Sequence, residues 1–213
     1  KGALVDNLSK MAQGVGASTT DITDAAVEEY KNEVETSELA ETPLEIAEGV
    51  DRTAKFSRVY AKEISTRVKN VVGAEEPLVA TMGEIEICGT PDVLLTKGFR
   101  DTKTGEVPWT QMRADTSRQF TNYDALYEAH FKRKAELIIV DALNTKSNRA
   151  ATSQIFTSRT QADRDALYQT MLSAKRLVEA GINLPAAAGA WWCSRKMCPL
   201  WSRCPYMGNK GNK

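Results

Sequence analysis

A chain of 213 residues with 42% hydrophobic and 26% charged side chains is long enough for one substantial globular domain and a small appendage. No apolar run approaches the ~20 residues needed to cross a bilayer, no secretory-leader pattern opens the sequence, and a cytoplasmic location is expected. The 28 basic and 28 acidic side chains cancel, which excludes a polyanion affinity spread over the whole surface, though not a local one.

Residues 2–13 carry Leu4, Leu8 and Met11 at helical spacing, predicting an amphipathic helix. Gly14 to Thr20 reads as a flexible connection. It lacks the Lys-Ser/Thr pair of a phosphate-binding P-loop, so nucleotide hydrolysis is not indicated. Ile22, Ala26, Tyr30 and Val34 predict a helix over 21–34, followed by an acidic break over 36–43. Phe56, Tyr60, Ile64 and Val68 recur every four residues and predict a helix over 48–68, its aromatics in the core.

From Val71 the pattern changes. Between Leu78 and Leu95, apolar residues punctuated at Gly83, Gly89 and Pro91 predict two short strands. Ile85 and Ile87 alternate with Glu84 and Glu86, giving one buried and one wet face. Cys88 is expected in the core, where free cysteine is common. Gly98 marks a turn, and Phe99-Arg100-Asp101 is polar enough to suggest a strand near a sheet edge. On an extended segment Asp101 and Lys103 share a face, and a hairpin could bring Asp92 beside them. Two carboxylates suit a hard divalent cation such as magnesium. A neighbouring ammonium can orient or help deprotonate an attacking water, which is the arrangement of a phosphodiester hydrolase. An ordinary polar loop is the competing reading.

Residues 116–134 predict a helix in which Gln119 and Tyr123, four apart, share a face, with Phe120, Leu126, Tyr127 and His130 nearby. His130 is the only histidine, so no Ser-His-Asp or Cys-His machinery is assembled. Ala135–Leu143 predicts a buried strand that 151–157 could pair with. A helix over 161–181 ends at Gly181, with Leu167, Met171, Ala174 and Val178 facing inward. The expected fold is α/β, a central mixed β-sheet flanked by helices. Residues 131–213 hold fourteen Lys or Arg against five Asp or Glu. That excess nominates Lys132, Arg133, Lys134, Lys146, Arg149, Arg159, Lys175 and Arg176 for phosphate contacts, with solvated helix faces as the alternative.

Gly89-x-x-Asp92, Asp101-x-Lys103-Thr104 and Gln119-x-x-x-Tyr123, followed by Trp192-Cys193-Ser194-Arg195-Lys196-Met197-Cys198 and Cys204-Pro205-Tyr206, resemble the RecB-like branch of the PD-(D/E)XK nuclease superfamily. The tail is similar to that of phage exonucleases and of CRISPR-associated spacer-trimming exonucleases. The resemblance runs from about Val71 onward, with the motifs in family order. It implies a restriction-endonuclease-like core over 71–185, after an N-terminal helical region over 1–70 and before a cysteine-bearing tail over 186–213. It further implies Mg2+ or Mn2+ on Asp92 and Asp101, Lys103 at the attacking water, and Gln119 and Tyr123 supporting the site and the strand. Glu75, or alternatively Glu76, matches a glutamate that precedes the first metal aspartate. Gly2-x-x-x-Asp6 stands where relatives carry a metal-binding Gly-x-x-x-His, with a surface Asp6 as the other reading. Asp92 to Asp101 is a shorter connection than in many relatives.

Cys193, Cys198 and Cys204 place three thiols within twelve residues, a spacing that favours metal over disulfides in a cytosolic protein. Tetrahedral zinc and an iron–sulfur cluster each need four ligands, and only Cys88 remains in the chain. Relatives with a 4Fe-4S cluster add an N-terminal cysteine, which this chain lacks; a cluster, zinc and a metal-free packed tail all stay open. The implied function is a divalent-metal-dependent DNA nuclease, an exonuclease of phage recombination or CRISPR-type DNA processing, with DNA and recombination or CRISPR-adaptation proteins as partners and no membrane. The alternatives are a noncatalytic nucleic-acid or protein-binding module on a degenerate nuclease fold, and a structural metal-binding scaffold.

Overall fold

The computed structural model describes residues 18–36, 42–144, 151–182, 184–187, 190, 192–195 and 197–206. The stretch over 2–13, with Asp6, and the basic residues Lys146 and Arg149 lie outside the described residues. The chain divides into two compact units, Lys1–Gln169 and Thr170–Lys213.

In the first unit, α1 (Thr19–Thr36) precedes α2 (Pro43–Val59). The second helix starts five residues before its apolar stripe suggests. Thr42 accepts from the Glu45 backbone while the Glu45 side chain returns to the Thr42 backbone, and Pro43 fills the first turn. This reciprocal cap satisfies donors that a helix start leaves open. Beyond Val59 the helix widens into a π turn, Tyr60–Ile64, and closes as a 3-10 turn, Ser65–Arg67.

The sheet follows. β1 (Val71–Ala74), β4 (Val93–Leu95), β5 (Gly98–Gly105), β6 (Leu137–Asn144) and β7 (Ala151–Thr157) lie side by side in that order. Only the β5–β6 pairing is parallel; the others are antiparallel, so the sheet is mixed. β2 (Leu78–Met82) and β3 (Ile85–Gly89) form a separate antiparallel hairpin, turning at Gly83 with φ 60. The apolar region therefore makes three strands where two are expected. Cys88 is exposed, contrary to expectation, because strand alternation puts it with Glu86 on the face opposite Ile87.

β5 is the middle strand and not an edge. Its first four residues are buried, including Arg100 and Asp101. The polarity that suggests an edge is absorbed by an ion pair: Arg100 Nε and Nη2 donate to Asp141 on β6 at 2.8 and 2.7 Å. Arg100 also donates to the Arg67 carbonyl, and Gln154 donates to Asp141. Every charge is thereby met, without which burying the pair would cost several kcal/mol, on the order of 3–5. Gly98 serves close approach more than turning, since a Cβ there would lie 1.8 Å from the Leu137 carbonyl oxygen.

α3 (Gln111–Asp115) and α4 (Arg118–Phe131) connect β5 to β6. α4 lays Tyr123 and Tyr127 against Phe99, and Phe120, Leu126, Ile138 and Val140 are buried as well. The Phe99 and Tyr123 rings meet edge to face with centroids 5.8 Å apart. Val68, Val93, Leu95 and Ile139 form a second apolar cluster with Val71 and Ala74. α5 (Gln161–Glu179) ends with Gly181 at φ 68, its N–H bonding Val178 O and that of Ile182 bonding Leu177 O. Its expected stripe is only half realised: Leu167 is buried and Met171 half-buried, whereas Ala174 and Val178 are exposed and Leu172, outside the stripe, is buried. In the tail, Trp201–Arg203 forms a 3-10 turn. No helix among the described residues is long and apolar enough to cross a membrane.

Candidate active site

β5 carries Asp101 and Lys103 on one face, and strand alternation is sufficient to put them there. Lys103 Nζ lies 2.7 Å from Asp101 Oδ2. The same ammonium donates to Gln119 Oε1 on α4 at 2.8 Å. Gln119 Nε2 donates to the Tyr123 hydroxyl at 2.8 Å, and that hydroxyl donates to the Thr90 carbonyl at 3.0 Å. Lys103 is shared between Asp101 and Gln119, and because Gln119 accepts from the ammonium and donates to the phenol, the amide orientation and the phenol proton are fixed together.

Asp92 enters from the other side. It precedes β4, and its Oδ2 accepts the Thr102 backbone N–H at 2.7 Å. Thr102 lies between Asp101 and Lys103, so this one bond fastens the Asp92 carboxylate beside both. Thr90 and Asp92 belong to the same short Gly89-Thr90-Pro91-Asp92 connection, which the relay grips at both ends. Gly89 is needed here because a Cβ would sit 2.7 Å from the Tyr123 ring. The five residues Asp92, Asp101, Lys103, Gln119 and Tyr123 are thus brought together.

The electrostatics agree with the contacts. Burial pushes the Tyr123 phenol above its ordinary range, and the Asp101 and Asp92 charges push the same way against its hydrogen bonds. Burial also raises the Tyr60 phenol, with Asp141 and Asp92 adding to it and Arg100 opposing. Tyr60, at the π turn, therefore feels Asp92, a neighbour that its place in an apolar stripe does not suggest.

Other expected residues are placed differently. Glu75, at φ 48, donates its backbone N–H to the Asp92 carbonyl at 3.0 Å. Glu76 is exposed, with its carboxylate over Gly73. Among the described residues no three His, Cys, Asp or Glu side chains come together as a metal site. Glu75 is therefore not gathered with Asp92 and Asp101, and Cys193, Cys198 and Cys204, each half-buried, do not surround a common centre. The two-aspartate set does fit magnesium or manganese, which one or two carboxylates, water and substrate oxygens can satisfy.

The basic excess is also partly consumed. Arg159 spends its N–H groups within the fold: it donates to Thr121 Oγ1, Thr157 Oγ1 and the carbonyls of Ala114, Ser117 and Ser158. Arg133 donates to the Thr96 carbonyl, and Lys132, at φ 57, closes α4. Sequence reasoning does not find Thr90 or Thr102, since both act through main-chain groups that carry no side-chain signature.

No protein-family model matches this chain, and no curated protein matches it. Its fold is similar to the crystal structure of a candidate exonuclease from Eubacterium rectale, with a TM-score of 0.50 at 12% identity over 88% of this chain and 74% of the other. A second similar structure, SSO0001, gives a TM-score of 0.41 at 17% identity over 96% and 95% of the two chains. At 12% identity the first of these likenesses concerns the fold alone.

Proposed function

We propose that this protein is a divalent-metal-dependent deoxyribonuclease that works as an exonuclease. The observation that carries this reading is the convergence of Asp92 and Asp101 with Lys103 through Thr102. The fold-level neighbour described as a candidate exonuclease is consistent with it. DNA is the substrate, and phage recombination or CRISPR-type DNA processing is the setting implied by the motif resemblance.

Asp92 and Asp101 would hold Mg2+ or Mn2+, which when bound supplies Lewis-acid polarisation of the phosphodiester and lowers the pKa of water. The chain's own residues do the rest. The Lys103 ammonium donates to the attacking water or to the phosphate oxygen on which negative charge develops. Gln119 keeps that ammonium from swinging away, and Tyr123 keeps Gln119 in one orientation. Burial of Asp101 at 2% exposure removes competing water and strengthens these charge interactions.

The test is degradation of end-labelled single- and double-stranded DNA with Mg2+ or Mn2+. Wild-type protein should cut and lose activity with chelator. Asp101→Ala and Lys103→Ala should each lower the rate by about a hundredfold or more. Undiminished cutting by either variant would rule out the assignment.

A further inference from the structure

Trp109 and Arg113 lie at the rim of the candidate site, and no step above uses them. The Arg113 guanidinium rests 4.2 Å from the Trp109 ring centroid. Trp109 packs on Phe120 at 5.8 Å between centroids, and Lys103 Nζ is 5.7 Å from the Phe120 ring on which Trp109 rests. Lys103 and Trp109 also line one small cavity of about 20 Å³. An unbroken series of contacts thus connects the site lysine to an exposed cation.

That cation rises from a firmly held helix. Among the described residues no carboxylate pairs with Arg113. Its helix is pinned on both sides: Gln111 donates to the Phe156 carbonyl, Thr157 donates to Asp115, and Arg159 donates to the Ala114 carbonyl. Thr110 caps the helix start by accepting the Arg113 backbone N–H. A guanidinium placed over an aromatic face spends no N–H on a carboxylate and can offer that edge to a bidentate phosphate contact. Met112, its neighbour in the helix, is 74% exposed, and Val107, which lines the small cavity with Trp109, is 71% exposed. Apolar surface next to an oriented cation suits a strand whose bases are unpaired and can lie against protein.

We infer that Trp109 and Arg113 form a clamp for single-stranded DNA, with Arg113 on a backbone phosphate and unpaired bases covering Val107 and Met112. This rests on the nuclease reading for its choice of ligand, and the experiment separates the two. Full-length protein is titrated into a labelled single-stranded oligonucleotide in EDTA, where nothing is cut, across a salt series, with a blunt duplex in parallel. Cleavage by the same wild-type protein is measured with Mg2+.

Wild-type protein should prefer the single strand. Arg113→Gln should weaken that binding about tenfold and reduce the slope of log K against log salt by about 0.7, the share of one phosphate on a single strand. Arg113→Lys should restore the slope but not the full affinity, since it keeps charge and loses the bidentate N–H fork. With Mg2+, Arg113→Gln should raise KM more than it lowers kcat. An unchanged slope in Arg113→Gln, or duplex binding as tight as single-strand binding, overturns the clamp and leaves the nuclease reading standing if wild-type protein cuts. An Arg113-dependent slope in protein that never cuts upholds the clamp and overturns the nuclease reading. Wild-type protein that fails to bind the single strand overturns the clamp, and the nuclease reading falls with it only if the same protein also fails to cut with Mg2+.

Discussion

Lys103 Nζ lies 2.7 Å from Asp101 Oδ2 and at 2.8 Å donates to Gln119 Oε1, so one ammonium joins the middle strand of the sheet to the helix above it. The site's rigidity is expected to depend on that junction. Gln119→Leu removes the acceptor and frees the lysine to rotate. Cutting should slow about tenfold to a hundredfold through kcat, by analogy with the cost of a misplaced catalytic group. Single-turnover assays at saturating DNA read this directly, and a rate equal to wild type would disprove the anchoring role.

Tyr123 and Tyr60 set an alkaline limit. Both phenols are raised above their ordinary pKa, Tyr123 by burial with Asp101 and Asp92, Tyr60 by burial with Asp141 and Asp92. Below about pH 10 both are protonated in folded and unfolded chains and add no pH dependence. As pH rises through that value, the unfolded chain releases protons that the folded protein keeps. Stability therefore falls as pH increases. Urea midpoints between pH 9 and 11 should drop for wild-type protein and drop less steeply for Tyr60→Phe or Tyr123→Phe.

Arg100 and Asp141 should behave as a unit. Arg100→Met or Asp141→Leu alone strands a buried charge and should cost about 3–5 kcal/mol. The double substitution should cost clearly less than the two single costs together, with a coupling on the order of 2 kcal/mol. Denaturant melts of the four proteins test this; additive losses would show that the pair is not coupled.

Gly89→Ala should damage the site without touching its chemistry. The new Cβ would meet the Tyr123 ring at 2.7 Å and Leu126 at 3.1 Å. Overpacking of this kind costs about 1–3 kcal/mol. The displaced ring should loosen Gln119, so activity should fall along with stability; a lower midpoint with full activity would show that Tyr123 adjusts without disturbing Gln119.

The parts of the fold written in side-chain periodicity are legible in the sequence. β7 occupies the segment expected for it, β6 lies within two residues of its apolar run, and α1 spans its stripe. The same holds for Asp101 with Lys103 and Gln119 with Tyr123, whose spacings match the strand and helix repeats. What is lost depends on partners far along the chain. Arg100 looks like an edge residue until Asp141 is placed beside it. Arg159 looks like a phosphate ligand until five acceptors from α3, α4 and the end of β7 are folded around it. The start of α2 was available in Thr42-Pro43-Leu44-Glu45, but a cap is a local signal that an apolar-stripe reading passes over.

The wide turn at Tyr60–Ile64 has a further implication. An ideal α-helix turns once in 3.6 residues, so side chains repeated every four creep around its circumference. Phe56, Tyr60, Ile64 and Val68 nonetheless stay largely buried along the same segment. A turn closed by i→i+5 bonds winds more slowly and takes back that creep. Losing a single residue between Tyr60 and Ile64 would restore ordinary winding and swing the upstream half of the helix, so this segment should tolerate substitution far better than a change in length.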